Sequence, residues 1–158
     1  MRLASLLSVA WLLPWVFAAD PKISKKAFNS DVPTNLFFFD DSRVSILLDR
    51  DAHTVWRSED AGAEWEEVKE LGDEVAVVYK HPYSNKVAVA IGTRRKHWIT
   101  KDQGETWTSF ESEDYASAFI PLSFHALDPD RIMFNGEENC GFFTCTGKVS
   151  AAVNHVRV

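Results

Sequence analysis

Apolar positions fall into two regimes along this chain. Residues 3–17 are mostly apolar and carry no charge. From residue 35 onward the apolar residues come in short bursts, rich in Val, Ile, Phe and Trp and broken by Asp, Ser, Asn and Gly. Bursts of this kind, at about 8–12-residue spacing between turn-formers, predict strands. They fall at 36–39, 44–49, 54–58, 66–68, 75–79, 86–91, 97–100, 108–110, 117–124 and 132–134, with turns at 40–42 and 50–53. No stretch of useful length has the periodicity of an amphipathic helix. The expected fold class is all-β.

The strand pattern repeats. Ser58-Glu59-Asp60-Ala61-Gly62-Ala63-Glu64-Trp65 and Thr100-Lys101-Asp102-Gln103-Gly104-Glu105-Thr106-Trp107 both read S/T-x-D-x-G-x-x-W, at an interval of 107 − 65 = 42 residues. Trp56 and Trp98 precede them at the same interval, and the apolar runs 44–48 and 87–91 lie upstream of each. A third copy begins at 125–136, echoing 81–92. A period near 42 is that of a four-stranded propeller blade. The expected architecture is a set of β-propeller blades, incomplete at about two to three.

The motif has a physical reading as a tight hairpin turn. The carboxylates of Asp60 and Asp102 are expected to accept bonds from turn amides. Gly62 and Gly104 supply positive φ, where other residues are strained. The hydroxyls of Ser58 and Thr100 offer a second local bond, and Trp65 and Trp107 enter the next strand and pack back over the turn. On this reading the acid is structural.

Composition adds little to the fold but narrows the function. Hydrophobic residues make up 46% of the chain and charged residues 25%, ordinary values for a globular protein. An aromatic content of 13%, with six Trp, favours strands. The net charge of −6, without a basic stripe, argues against a nucleic-acid partner. Arg94-Arg95-Lys96 reads as a charged hairpin tip.

The first regime is a targeting segment. Arg2, the uncharged run 3–17 and the small Ala18 and Ala19 have the layout of a secretory signal peptide, 1–19, cleaved after Ala18 or Ala19. An uncleaved anchor is the alternative, although the run is short for a bilayer span. Residues 20–34 read as an extended lead-in. The expected location is the lumen of the secretory pathway, with no membrane span in this chain. In that compartment Cys140 and Cys145, the only cysteines, are expected to form one local disulfide, eased by Gly141. Two free thiols are the alternative. No N-x-S/T glycosylation acceptor occurs.

No catalytic, cofactor or metal residues are expected. His53, His81, His97, His125 and His155 stand at no zinc-ligand spacing. The pairs Asp40-Asp41, Glu66-Glu67 and Glu137-Glu138 are adjacent, and neighbours on a strand point to opposite faces. No nucleophile elbow and no phosphate-cradling loop is present.

The two motifs are Asp-boxes, found in sialidases, other glycosidases and sortilin-type receptors. The stretches 55–60, 96–107 and 122–125, with Asp128-Pro129-Asp130-Arg131-Ile132 and the Cys140/Cys145 pair, resemble the sortilin-type vacuolar protein sorting receptors, the fungal carboxypeptidase Y receptors among them. The resemblance runs from about residue 35 to 145. It implies a partial, amino-terminal portion of a ten-bladed luminal propeller. It also implies a single-pass Golgi and endosome receptor for vacuolar hydrolases such as carboxypeptidase Y. Structural roles carry over to Asp60, Gly62, Trp65, Asp102, Gly104 and Trp107. Residues 146–158 depart from the family pattern and are expected to be a non-family tail, read through from an intron or left by a truncated gene. The alternatives are a sialidase-like glycosidase fragment, which needs an arginine cluster, or a non-functional truncated product.

Overall fold

The computed structural model describes residues 25–30 and 35–137, and the backbone of 140–141, 144–145 and 149–155. Residues 1–19, expected to be a signal peptide, lie outside the described residues.

The strands in chain order are β1 (Asn35–Phe38), β2 (Ser45–Asp49), β3 (Thr54–Ser58), β4 (Glu66–Glu67), β5 (Val75–Lys80), β6 (Ala88–Gly92), β7 (Lys96–Thr100) and β8 (Thr108–Glu111). There follow β9 (Tyr115–Ala116), β10 (Leu122–Phe124), β11 (Arg131–Glu137), β12 (Cys140–Gly141), β13 (Thr144–Cys145) and β14 (Val149–His155). The only helix among the described residues is a single 3-10 turn, Lys69–Leu71.

The fold is all-β and built of blades. β1-β2-β3-β4 and β5-β6-β7-β8 are two four-stranded sheets with chain-order neighbours, every pair antiparallel. A third sheet has the order β10-β11-β14, with β9 also pairing β11, and β12–β13 is a separate hairpin.

The core lies between blades rather than within one. Side chains alternate across a strand, so a central strand can serve two joints. Val87, Val89 and Ile91 turn toward the third blade, where they meet Leu122, Ile132 and Phe134. Ala88 and Ala90 turn toward the first, into a cluster with Phe39, Ile46, Leu48 and Val55. Trp98 and Trp107 fill the same cluster, large rings beside two alanines. Every residue of β2 and β6 is buried, and their apolar stretches, 46–48 and 88–91, run unbroken rather than alternating.

Two elements differ from the sequence expectation. The strand expected at 117–124 is shortened to β10 at 122–124, with β9 at 115–116 ahead of it. Pro121, lacking an N–H, sits between them, and its carbonyl accepts from the Asn135 amide at 2.8 Å. The strand expected at 132–134 extends to 131–137, and β14 pairs with it at seven positions, Arg131↔His155 through Glu137↔Val149. β14 falls within the segment 146–158.

Candidate functional site

The two Asp-box turns join β3 to β4 and β7 to β8. In the first, Asp60 Oδ1 accepts from the Glu64 amide at 2.9 Å and from Ser58 Oγ at 2.8 Å. Ser58 Oγ in turn accepts from the Gly62 amide at 2.9 Å. The second turn copies this arrangement. Asp102 Oδ1 accepts from the Thr106 amide at 2.9 Å and Thr100 Oγ1 at 2.7 Å, and Thr100 Oγ1 accepts from the Gly104 amide at 2.8 Å. Thr106 Oγ1 adds a bond to Asp102 Oδ2 at 2.5 Å.

Each turn carries a pair of left-handed residues rather than the one glycine expected. Ala61 has φ 67° beside Gly62 at 93°, and Gln103 has φ 63° beside Gly104 at 81°. The tryptophan rings lie over the glycines. A Cβ on Gly62 would stand 3.5 Å from Trp65 Cζ2, and one on Gly104 3.6 Å from Trp107 Cζ2. Trp65 Nε1 donates to the Gly62 carbonyl at 3.0 Å, whereas the buried Trp107 Nε1 has no partner among the described residues.

The second turn is also a clasp onto the first blade, which the motif alone does not reveal. The Gln103 carbonyl accepts from Arg57 Nε at 2.9 Å, and Gln103 Oε1 accepts from Ser42 Oγ at 3.0 Å. Gln103 Nε2 donates to the Asn85 carbonyl at 2.8 Å, tying the turn to its own blade. Other links between the first two blades are Lys80 to Asp40 at 2.6 Å and the Trp107 amide to Glu70 at 3.2 Å. Lys101 reaches Asp130 of the third blade at 2.7 Å.

Sequence reading also passed over Asp49, which anchors the lead-in. Its carboxylate accepts from the Asn29 amide at 2.6 Å, the Ser30 amide at 3.1 Å and Ser30 Oγ at 2.8 Å. Phe28 then packs edge-on against Trp56 and Trp65. A buried Asp ending an otherwise apolar strand was the available signal.

Electrostatics keep these carboxylates ionised. The Glu64 amide and Ser58 hydroxyl hold Asp60 below the usual carboxylate range. At Asp49 and Asp102 burial works against the charge, and the hydrogen bonds outweigh it, so both are also lowered. Carboxylates held this way have no proton to donate near neutrality. A cleft of about 380 Å³ beside the first turn is lined by Arg57, Glu59, Asp60, Glu64, Glu66 and Glu67. Among the described residues no group of three or more His, Cys, Asp or Glu converges on a metal position.

The remaining singled-out residues are dispersed. Arg57 pairs with Glu59, and Arg131 with Asp128. Arg94 and Arg95 stand on the β6–β7 connection, at the other end of β7 from the Asp-box, with Arg95 over the Tyr115 ring. Asp41 is a left-handed turn residue, and Ser117 Oγ donates to Glu137. His53 Nδ1 lies 3.0 Å from the Val75 carbonyl, and His125 Nδ1 accepts from the Leu127 amide at 3.2 Å. The β12–β13 register sets Cys140 directly opposite Cys145. No described helix is long and apolar enough to cross a membrane.

Comparison with known proteins bears on what this geometry belongs to. The family model Sortilin-Vps10, described as "Sortilin, neurotensin receptor 3", matches residues 53–157. The vacuolar protein sorting/targeting protein 10 of Leptosphaeria maculans is 40% identical over 146 residues, covering 87% of this chain and 10% of that protein. The proteins of the same description from Fusarium vanettenii and Sordaria macrospora are 39% and 42% identical, covering 90% and 92% of this chain. The chain spans about a tenth of the length of these relatives, 10% in each case. Among solved structures, a GH74 xyloglucanase from Xanthomonas campestris superimposes with a TM-score of 0.45 at 17% identity, over 74% of this chain and 20% of that one. A likeness that low bears on neither fold nor activity.

Proposed function

This chain belongs to the Sortilin-Vps10 family, and from that premise we propose that it forms the first blades of a receptor that sorts vacuolar hydrolases. The cargo in this reading is a hydrolase such as carboxypeptidase Y, bound in the Golgi lumen and carried toward endosomes. The observation that carries it is the pair of Asp-box blades lying largely within the matched span 53–157. Those blades hold their acids in turn hydrogen bonds, which suits a scaffold that presents surfaces rather than one that turns over substrate. Residues 1–19 would direct the chain into the lumen, and Cys140 and Cys145 would close a disulfide across the β12–β13 hairpin.

The test is genetic. Disruption of the gene should send carboxypeptidase Y into the culture medium, read by immunoblot. Full intracellular retention of the hydrolase overturns the reading. The glycosidase alternative draws no support from the arginines, which lie at opposite ends of the blades. Release of sialic acid by the purified chain would reinstate it.

A further inference from the structure

The two inter-blade joints follow one plan and differ in one respect. In the first joint Phe39 and Val55 pack into the apolar cluster. One repeat later, at 39 + 42 = 81 and 55 + 42 = 97, the corresponding residues are His81 and His97. Both are fully buried. Their rings meet aromatics of the third blade, His81 against Phe124 at 4.7 Å and His97 against Phe134 at 4.9 Å. Phe110 of β8 closes over His97 at 5.3 Å.

The hydrogen bonds fix both rings in the neutral form. His97 Nδ1 accepts the Gly92 amide at 3.2 Å, which places the proton on Nε2, facing Ser112 Oγ at 2.9 Å. His81 Nδ1 accepts the Tyr83 amide at 3.1 Å, and its buried Nε2 has no partner among the described residues. A second proton on either ring would put a charge in an apolar joint. Burial pushes His97 down to about 4 and lowers His81 in the same direction.

The titratable and charged side chains on the elements packed around these rings are Tyr79 and Lys80 on β5, Lys96 on β7 and Glu111 on β8. Tyr83, in the connection after β5, sets its ring 6.1 Å from that of His81, Asp114 lies in the connection after β8, Tyr115 on β9, and Arg131 and Glu137 on β11. Asp40 takes the charge of Lys80, Asp128 pairs with Arg131, and Ser117 donates to Glu137.

We propose that the joint between the second and third blades is an acid-operated latch, shut at neutral pH by two neutral histidines and loosened when they take up protons. The core of the first joint is apolar, and the histidine that bridges it, His53, is exposed and holds its Nδ1 3.0 Å from the Val75 carbonyl, a contact that a protonated ring also makes, so the first joint stays shut. The direction follows from linkage. In an opened joint both rings have the ordinary histidine value of 6.5, whereas in the shut joint His97 takes up a proton only near 4 and His81 is lowered in the same direction. The latch is therefore fully stabilised above 6.5 and loses that stabilisation as pH falls toward 4. For His97 alone, the open population at pH 5.0 should rise roughly 30-fold over that at neutral pH. The inference requires nothing of the cargo reading.

Amide hydrogen exchange of the whole chain at pH 7.5 and 5.0, corrected for the intrinsic pH dependence of exchange, tests it. Peptides carrying β10 and β11 should lose protection on the scale of that 30-fold rise, while those carrying β2 and β3 keep theirs. The double variant His81→Phe with His97→Val, which installs the residues of the first joint, should hold protection at pH 5.0. If it fails to fold, His97→Gln gives the same readout with a ring-sized neutral amide. Where neither variant is protected at pH 7.5, the comparison of the two wild-type joints decides alone. Equal acid loss at both joints overturns the proposal. So does an undiminished loss in a folded variant, or a second joint already unprotected at pH 7.5.

Discussion

At Asp102 one carboxylate ties together Thr100, the Thr106 amide and the Thr106 hydroxyl. The variant Asp102→Ala leaves those donors without their acceptor, at a cost of about 1–3 kcal/mol. A lowered urea midpoint is the expected measurement, and Asp102→Asn, which keeps one acceptor oxygen, should lose less. Ala61 makes the opposite case. It sits at φ 67° with no glycine to relieve it, so Ala61→Gly should gain roughly 0.5 kcal/mol, since the relief of left-handed strain exceeds the entropy cost of glycine. An unchanged or lowered midpoint would count against that account of the turn. The hydrogen-bonded acids also set an acid limit. The pKa values of Asp49 and Asp102 are lowered in the fold, so their stabilisation is present above the ordinary value of 3.8 and is lost as pH falls through the folded values. Tryptophan fluorescence should therefore show a second acid transition, below about pH 4, separate from the histidine window above it. A single transition would mean that the turns and the latch give way together.

Strands and turns were legible because their signals are local. Short apolar bursts between turn-formers mark the strands, and the S/T-x-D-x-G-x-x-W pattern marks the hairpins, since an Asp, a hydroxyl and a glycine at those offsets can satisfy a turn without distant help. What the sequence withheld depends on residues far apart in the chain. Nothing local in Gln103 foretells Ser42 and Arg57 as its partners. Sequence spacing does not relate the histidines to one another, and the shared place of His81 and His97 at one joint emerges once two blades are stacked. The late start of β10 follows from Pro121, a breaker within the expected strand. Gly104 shows how the two kinds of information combine. Its φ of 81° marks the turn, but a Cβ there would also stand 2.9 Å from Cδ1 of the buried Ile46, on the neighbouring blade. Gly104→Ala should therefore cost more than Gly62→Ala, whose nearest contact is an ordinary 3.5 Å within its own turn. Paired denaturation curves check this, and equal losses would show that only the backbone conformation matters.

Over the whole molecule, apolar surface sits beside a modest negative charge. Leu36, Phe38, Phe119, Ile120 and Leu127 are exposed, Leu127 to 91% and Phe119 to 88%. The net charge is −6 at neutrality, and the chain has an isoelectric point of about 5.3. Electrostatic repulsion between copies fades as pH approaches that point, and bare apolar residues then favour association. Light scattering should peak near pH 5.3, and Phe119→Ser with Ile120→Ser should reduce it without moving the urea midpoint. Scattering that ignores both changes would place the contact elsewhere.

The clasp at Gln103 also implies a direction in time. The second Asp-box completes its bonds only on a first blade that already presents Ser42 and Arg57. A ribosome delivers the chain amino end first, so that docking surface is always made before the turn that grips it. Each new blade then matures against a finished one, and assembly proceeds like a ratchet in the order of synthesis.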